Sequence, residues 1–119
     1  VEGLARQLGS STRFLAASAL GATDLRADER LIALCRMLAD RPTYLSGRGG
    51  AGYQNPARFA AAGVTLRYTD FVPSPYPQRS TAFVPGLSIV DALFNLGVEG
   101  TGEAVGALVG GTRPGYISG

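Results

Sequence analysis

The sequence of 119 residues contains no histidine, and this absence removes the side chain that proteins use most often as a general base. A Ser-His-Asp triad, a Cys-His pair and a histidine-rich zinc site therefore cannot be built from this chain. Catalysis within it would depend on carboxylates, tyrosine hydroxyls or main-chain donors. The 9 acidic residues are scattered along the sequence, so we expect no metal site.

Lysine is absent as well, so the net charge of +2 and the pI near 9.0 come entirely from arginine. The arginines are dispersed and form no basic cluster interleaved with aromatic residues, which argues against nucleic-acid binding. Most of them are typical of solvated surfaces and helix C-termini. Arg48 differs because it lies inside a glycine-rich segment, where its guanidinium could grip an anion through two hydrogen bonds.

The single cysteine, Cys35, excludes an intramolecular disulfide and a thiol-rich metal site. It shares a predicted helical face with Leu31, Leu34 and Leu38, which favours a packing role over a nucleophilic one. No apolar run approaches the ~18 residues of a membrane helix, and no charged leader precedes a cleavable apolar segment. We therefore expect a cytoplasmic protein without a membrane span.

Apolar periodicity and turn signals predict a small α/β fold in which strands alternate with helices. The predicted strands are 12–16, 43–46 and 64–68, and the predicted helices between them are 25–39, capped at Thr23-Asp24, and 56–62. This order implies an open sheet of about three mainly parallel strands flanked by helices, a small three-layer arrangement with the last strand at the edge. We assign 1–109 to a single domain and 110–119 to a flexible glycine-rich tail.

A proline-rich segment, Val72–Gln78, can be neither helix nor regular strand and predicts an extended brace at the sheet edge. Two further helices follow it, one from Ser88 to Gly97 and a weaker one over 101–109. Asp91 is interpreted either as an acid near a binding site or as the residue that caps the helix N-terminus. Its spacing from Ser88 favours the cap.

A glycine-rich loop lies between the second predicted strand and the helix that Asn55 and Pro56 begin. Its amides, with the helix dipole behind them, are suited to phosphate or carboxylate. Other candidates lie at the carboxyl ends of strands or on the rigid proline-rich backbone, where Gln78 is well placed to hydrogen-bond a ligand. The candidate ligand-binding residues are Ser18, Ser46, Gly47, Arg48, Gly49, Gly50, Tyr53, Asp70, Tyr76, Gln78 and Asp91.

The same loop matches the dinucleotide-binding fingerprint, as Gly47-x-Gly49-x-x-Gly52, with Asp70 where a ribose-binding acid is expected. A nicotinamide-dependent oxidoreductase fragment is therefore one alternative. In that motif the helix starts inside the glycine run, and here such a helix would carry Pro56 in its interior, at a cost of about 3 kcal/mol or more. A helix that starts at Pro56 would exclude this alternative.

A series of short motifs runs along the chain in a distinctive order and spacing. They are Tyr44-Leu-Ser-Gly47, Gly49-Gly50, Tyr53, Phe59, the strand Gly63–Tyr68, Tyr76-x-Gln78, Phe83-x-Pro85 and the segment Leu87–Gly97 with the sequence LSIVDALFNLG. Together they resemble the C-terminal half of the WbqC-like family over Leu4 to about Leu108, and Leu87–Gly97 is the most specific part.

The resemblance implies a bacterial protein of surface-polysaccharide or related small-molecule biosynthesis, which transfers an acyl-type or aminoacyl-type group to an amine. Family members are usually longer, with an N-terminal half that opens on a motif containing His and Pro, and none of that half is found here. We therefore expect a C-terminal domain that binds a small anionic ligand bearing phosphate or carboxylate, and that is inactive without the missing N-terminal half or a partner chain.

A non-catalytic binding or assembly module is the remaining alternative. In that interpretation the glycine-rich loop is only a tight connection, and the proline-rich segment is a docking surface. Neither the motifs nor the resemblance identifies a cofactor.

Overall fold

The computed structural model describes residues 1–69, 71–110 and 117–118, with side chains for 1–69 and 71–106. These residues form helices α1 (Glu2–Gln7), α2 (Ala27–Leu38), α3 (Pro56–Ala61) and α4 (Ile89–Gly110), strands β1 (Thr43–Ser46), β2 (Thr65–Thr69) and β3 (Ile117–Ser118), and 3-10 helices at Ala17–Leu20 and Arg48–Gly52. They divide into two compact units. The sheet unit is Leu15–Phe71 with the described residues of 114–119, and the helical unit is Val1–Phe14 with the described residues of 72–113.

The sheet unit contains a strand–helix–strand connection. Strands β1 and β2 pair in parallel, with Thr43 opposite Thr65 and Ser46 opposite Tyr68. Strand β3 pairs antiparallel with the other side of β2. The predicted α/β class is therefore confirmed. The prediction that the Val64–Tyr68 strand lies at the sheet edge is wrong, because β2 has a partner on each side.

The predicted strand at 12–16 is also wrong. Residues 11–16 have no regular secondary structure, and a 3-10 helix follows them. The apolar run is divided between environments, since the Arg6 guanidinium lies 5.5 Å from the centre of the Phe14 ring in the helical unit, whereas Leu15 is exposed. A short apolar run has the composition of a buried strand, but composition alone does not provide a neighbouring strand.

Helix α2 begins two residues later than predicted, and the cap is different. Arg26 is the N-cap residue, with no side-chain cap bond, and Ala27 has a positive φ of 46°. The predicted cap at Thr23-Asp24 is therefore wrong. The Asp28 side chain, in the first turn, is instead buried and accepts a hydrogen bond from the Asn55 amide at 2.9 Å. This bond ties the start of α2 to the start of α3.

Helix α3 begins where the sequence predicts. Pro56 occupies the first turn, and Asn55 Oδ1 accepts a hydrogen bond from the Ala57 amide at 3.0 Å. Gly63, with φ of 72°, follows the end of the helix. The helix carries Phe59 into the core, where its ring is buried and stacks on Tyr44 at 5.7 Å between ring centres. Because no α-helix starts inside the glycine run, the nicotinamide-binding alternative is excluded.

The helical unit contains α1 and α4, and α4 is interrupted at Gly97. Gly97 has φ of 71° and ψ of −179°, which no helix accommodates. Thr101 is fully buried, and its hydroxyl donates to the Gly97 carbonyl at 2.6 Å. The predicted helix boundary at Gly97 is therefore confirmed, although the second segment starts directly after it.

The proline-rich segment has no helix or strand over residues 71–78. None of the described helices has the length and apolar character needed to cross a membrane. The single domain predicted over 1–109 stays a prediction. Of the predicted tail, Gly110 belongs to α4 and Ile117–Ser118 to β3, and the other residues lie outside those described.

Candidate functional site

The glycine-rich loop forms a 3-10 helix, Arg48–Gly52, directly after β1. Gly47 precedes it in an extended conformation, and the Gly50 amide donates to the Gly47 carbonyl at 2.9 Å. None of the four loop glycines has a positive φ. The backbone conformation of the loop therefore does not require glycine at these positions. The contacts around the glycines are what can select them.

Gly50 is buried because two polar side chains close over it. A Cβ atom there would lie less than 3.0 Å from both Ser46 Oγ and Gln54 Oε1. Ser46 and Gln54 are each only 7% exposed, and Gln54 Oε1 has no hydrogen-bond partner within the described part of the chain. The close approach of these side chains requires a residue without a Cβ at position 50.

The outer part of the loop is open to solvent. Gly47, Arg48 and Gly49 are exposed, as is Tyr53. The predicted candidates Ser46–Gly50 and Tyr53 thus lie together at the carboxyl end of β1. Ser18 belongs to the same unit but lies in an exposed 3-10 helix with no strand before it, and Asp70 is outside the described residues.

The helical unit brings the other three candidates together around the carboxylate of Asp91. Asp91 Oδ2 accepts hydrogen bonds from the Tyr76 hydroxyl at 2.7 Å and from Gln78 Nε2 at 3.0 Å. Its other oxygen, Oδ1, accepts from Asn95 Nδ2 at 3.2 Å. The three donors are neutral, and no ion pair to Asp91 occurs among the described residues.

The interpretation of Asp91 as a helix cap is not what these bonds show. Within the described residues its carboxylate makes no bond to the Ser88 amide, and the Ser88 hydroxyl itself accepts from the Val90 amide at 3.3 Å. The helix start is therefore served by Ser88. The sequence spacing is compatible with a cap and with an acid near a binding site. The hydrogen bonds from Tyr76 and Gln78 of the proline-rich segment favour the second role.

Gln78 acts as a structural clamp. Its Oε1 accepts from the Val84 amide at 2.8 Å, while its Nε2 donates to the Val84 carbonyl at 3.1 Å and to Asp91. This pairing closes the chain over residues 79–83 into a loop. Both N–H groups of Gln78 are therefore engaged within the protein, and its Oε1 keeps one lone pair. The expectation that Gln78 hydrogen-bonds a ligand stays a prediction.

The ring of Tyr76 packs edge-on against Phe83, with 5.4 Å between ring centres. Its hydrogen bond to the Asp91 carboxylate is the largest of the effects that raise the pKa of the phenol above its ordinary value. The protonated hydroxyl is the hydrogen-bond donor to the carboxylate. Tyr76 acts on Asp91 by orienting it.

An open cleft of about 600 Å³ lies beside this network in the helical unit. It is lined by Gln78, Arg79, Ser80, Val84, Leu87, Asp91, Phe94 and Asn95. The wall combines one acid, one base, three further polar residues and three apolar side chains. The open cleft therefore presents apolar and polar side chains next to each other, so that a ligand could contact both kinds of group.

Sequence reasoning missed Asn95, Phe94 and Arg79. Asn95 could have been found, because it lies one helical turn after Asp91 and the two side chains of an i, i+4 pair meet. Phe94 lies in the segment LSIVDALFNLG, and the sequence around it does not distinguish a cleft residue from a packing residue. Arg79 is one of the dispersed arginines, and nothing in its local sequence signals a cleft.

The described residues include no group of three or more His, Cys, Asp or Glu side chains that could hold a metal ion.

Comparison with known proteins gives one result. The model of the WbqC-like protein family matches residues 1–103, most of the chain. No curated protein and no solved structure matches it. The matched region contains both groups of candidate residues, from Ser18 to Asp91, together with the clamp and the cleft. This chain is therefore a member of the WbqC-like protein family.

Proposed function

We propose that this chain is the C-terminal part of a biosynthetic transferase of surface polysaccharides or related small molecules, which moves an acyl-type or aminoacyl-type group onto an amine. The Asp91 carboxylate would hold the amine. The observation that supports this most is that Asp91 faces a cleft while three neutral donors fix its orientation.

The electrostatics of the cleft favour a cationic or amine ligand. Asp91 is half-buried, and its charge is balanced by hydrogen bonds without a described ion pair. A carboxylate oxygen has more than one lone-pair site, and Oδ1 accepts only one described hydrogen bond. An N–H group entering the cleft would form a charge-assisted hydrogen bond there, which is about twice as strong as a neutral one.

The placement of Asp91 supports the following transfer step. The amine nitrogen attacks the carbonyl carbon of an activated acyl donor, such as a thioester or an acyl phosphate. The bond from that carbon to sulfur or oxygen breaks, and the leaving group takes the electron pair. A cationic amine first releases one proton to solvent, which frees the lone pair that attacks; the second proton, lost by nitrogen as the amide forms, passes through the Asp91 carboxylate to the leaving group. A positioned carboxylate that accepts this proton contributes about 10²–10⁴-fold to such reactions.

The second part of the proposal is an anion contact at the glycine-rich loop of the sheet unit, where Arg48, Gly47 and Gly49 are exposed after β1. The loop would bind the phosphate or carboxylate group of a small-molecule ligand. It is proposed separately from the amine contact, and each can be tested without the other.

The amine contact is tested by nuclear magnetic resonance titration of the full chain with propylamine and with propanol. We expect propylamine to shift the side-chain amide of Asn95 and propanol not to, and Asp91→Asn to abolish the response. Glu99→Gln is the matched control, because Glu99 is an exposed acid on the same helix. An equal response in the Asp91→Asn variant would contradict the proposal.

The anion contact is tested by thermal-shift titration with pyrophosphate, sugar nucleotides, NAD and coenzyme A. Ligand at about a hundred times its Kd stabilises a protein by about 2.7 kcal/mol, which is a shift of several degrees for a domain of this size. We expect Arg48→Ala to remove the shift and Arg41→Ala, which changes an exposed arginine before β1, to retain it. If no anion shifts the melting temperature, the loop is only a connection.

A non-catalytic assembly module is a second candidate because of exposed apolar residues around the start of α4. Leu87, Val90 and Phe94 are all at least 49% exposed. Such a patch can mark a protein interface. Sedimentation analysis at several protein concentrations tests this, since an interface between copies would give a mass that increases with concentration.

A further inference from the structure

Phe94 is 88% exposed although it lines the cleft beside Asp91 and Asn95. A phenylalanine ring carries a large apolar surface, and its exposure leaves that surface in water. The cleft that the ring lines also presents the polar side chains of Asp91 and Asn95. The combination suits a ligand with a flat apolar face and a polar rim, and a pyranose ring has this chemistry, with C–H groups on its faces and hydroxyls around its edge.

Arg79 supplies a second charge in the same cleft. Its side chain is exposed, and among the described residues it makes no hydrogen bond or ion pair. The Gln78 clamp holds the loop that carries Arg79 and Ser80, so their main chain is fixed next to the Asp91 network. Guanidinium groups bind phosphate oxygens in a bidentate manner, and a cleft of about 600 Å³ has the size of a small-molecule site.

We propose that the cleft binds a phosphorylated amino sugar. The amine of the sugar contacts Asp91, and its ring stacks on Phe94. The phosphate contacts Arg79, and the hydroxyls reach Ser80 and the side-chain oxygen Oδ1 of Asn95. This inference rests on the proposed function, which supplies the amine contact at Asp91. It adds the chemical class of the acceptor. Phe94 and Arg79 become the residues that distinguish this acceptor from other amines.

The test is a titration of the full chain with each of three probes, in which binding is monitored by nuclear magnetic resonance. Glucosamine-6-phosphate carries amine, ring and phosphate, glucose-6-phosphate lacks the amine, and phosphorylethanolamine lacks the ring. We expect glucosamine-6-phosphate to bind most tightly. The variants are Asp91→Asn, Phe94→Ala and Arg79→Ala, and the amide spectrum of each shows whether it is folded.

Each variant has its own expected pattern. Phe94→Ala weakens the binding of glucosamine-6-phosphate by about two- to tenfold, the range for an aromatic contact, and leaves the binding of phosphorylethanolamine unchanged. Arg79→Ala weakens the binding of all three probes, because each carries a phosphate. Asp91→Asn weakens the binding of glucosamine-6-phosphate and phosphorylethanolamine only, because these two carry an amine. As a second readout, Phe94→Trp introduces a single tryptophan, whose emission can be excited apart from that of the five tyrosines and should change with the two sugars only.

The failures are distinguishable. If phosphorylethanolamine binds as tightly as glucosamine-6-phosphate and Phe94→Ala affects neither, the sugar proposal is overturned while the amine contact stands. If Asp91→Asn changes no affinity, the proposed function fails as well. No binding of glucosamine-6-phosphate to the unmodified chain also overturns the inference. Self-association that Phe94→Ala abolishes, without an effect on sugar binding, assigns the ring to an interface between copies instead.

Discussion

Gly50 is the residue of the glycine-rich loop whose identity the structure explains by packing. Replacing it with alanine places a Cβ less than 3.0 Å from Ser46 Oγ and Gln54 Oε1, two side chains that are themselves buried. Overpacking of this kind costs about 1–3 kcal/mol. We therefore expect Gly50→Ala to lower the free energy of unfolding by that amount, as measured by urea denaturation.

Gly49→Ala is the matched control for this prediction. Gly49 is the adjacent residue, is exposed and has no positive φ, and a methyl group on its Cα would meet no other atom within 4 Å. Its replacement should change stability by no more than about 0.5 kcal/mol, as for ordinary surface substitutions. Equal losses in the two variants would show that the contacts over Gly50 are not what selects glycine.

Tyr76 and Asp91 give a second prediction at the scale of single residues. Because the hydrogen bond to Asp91 is the main cause that raises the pKa of Tyr76, Asp91→Asn should lower that pKa towards the ordinary value. Ultraviolet titration of phenolate formation measures it, and subtraction of the Tyr76→Phe curve isolates this tyrosine from the other four. Glu99→Gln should leave the curve unchanged, and an unaltered Tyr76 pKa in Asp91→Asn would refute the assignment.

At the scale of elements, α4 depends on a glycine that breaks it. Gly97 has φ of 71° and ψ of −179°, a region that is essentially restricted to glycine. A methyl group at this position meets no other atom within 4 Å, so the cost of Gly97→Ala is backbone strain of about 1–3 kcal/mol. We expect a lower melting temperature for this variant.

In the same helix, we expect Gly106→Ala to raise the melting temperature, in contrast to Gly97→Ala. Gly106 is exposed, has no positive φ and has free space for a methyl group. Alanine favours a helix interior over glycine by about 1 kcal/mol, so this variant should be more stable than the unmodified chain. If both alanine variants raise the melting temperature, the break at Gly97 is not a feature of the folded helix.

At the scale of the whole molecule, the absence of histidine shapes the dependence of stability on pH. No histidine titrates between about pH 6 and 8, so no side chain of that type alters stability there. Burial raises the pKa of the Cys35 thiol, and the Asp91 hydrogen bond raises that of Tyr76. Each group keeps its proton longer in the folded state than in the unfolded state, so stability should fall as the pH rises above about 9.

Urea denaturation across this pH range measures the effect. The double variant Cys35→Ala, Tyr76→Phe should show a smaller alkaline decline than the unmodified chain, whatever its stability at neutral pH. A steeper decline in the double variant would mean that other groups dominate the alkaline loss of stability.

Local sequence signals proved reliable where a single residue type decides the backbone. Asn55 and Pro56 fixed the start of α3, and Gly97 fixed the break in α4, because capping, a locked φ and a positive φ are properties of those residues themselves. The strand predicted at 12–16 and the cap predicted at Thr23-Asp24 failed, because each depends on what the rest of the chain places next to it.

The α/β class, the helix after the glycine-rich loop, the excluded histidine chemistries and the resemblance to the WbqC-like family could all be predicted from the sequence. The folded chain was needed to show that β2 is central, that Gly50 is needed for packing, that Gln78 clamps a loop and that Asp91 faces a cleft with Arg79, Phe94 and Asn95. The two groups differ in the distance along the chain over which the deciding interactions act. Propensities and backbone restrictions act within a few residues, whereas hydrogen-bond partners and buried contacts are set by segments far apart in the chain.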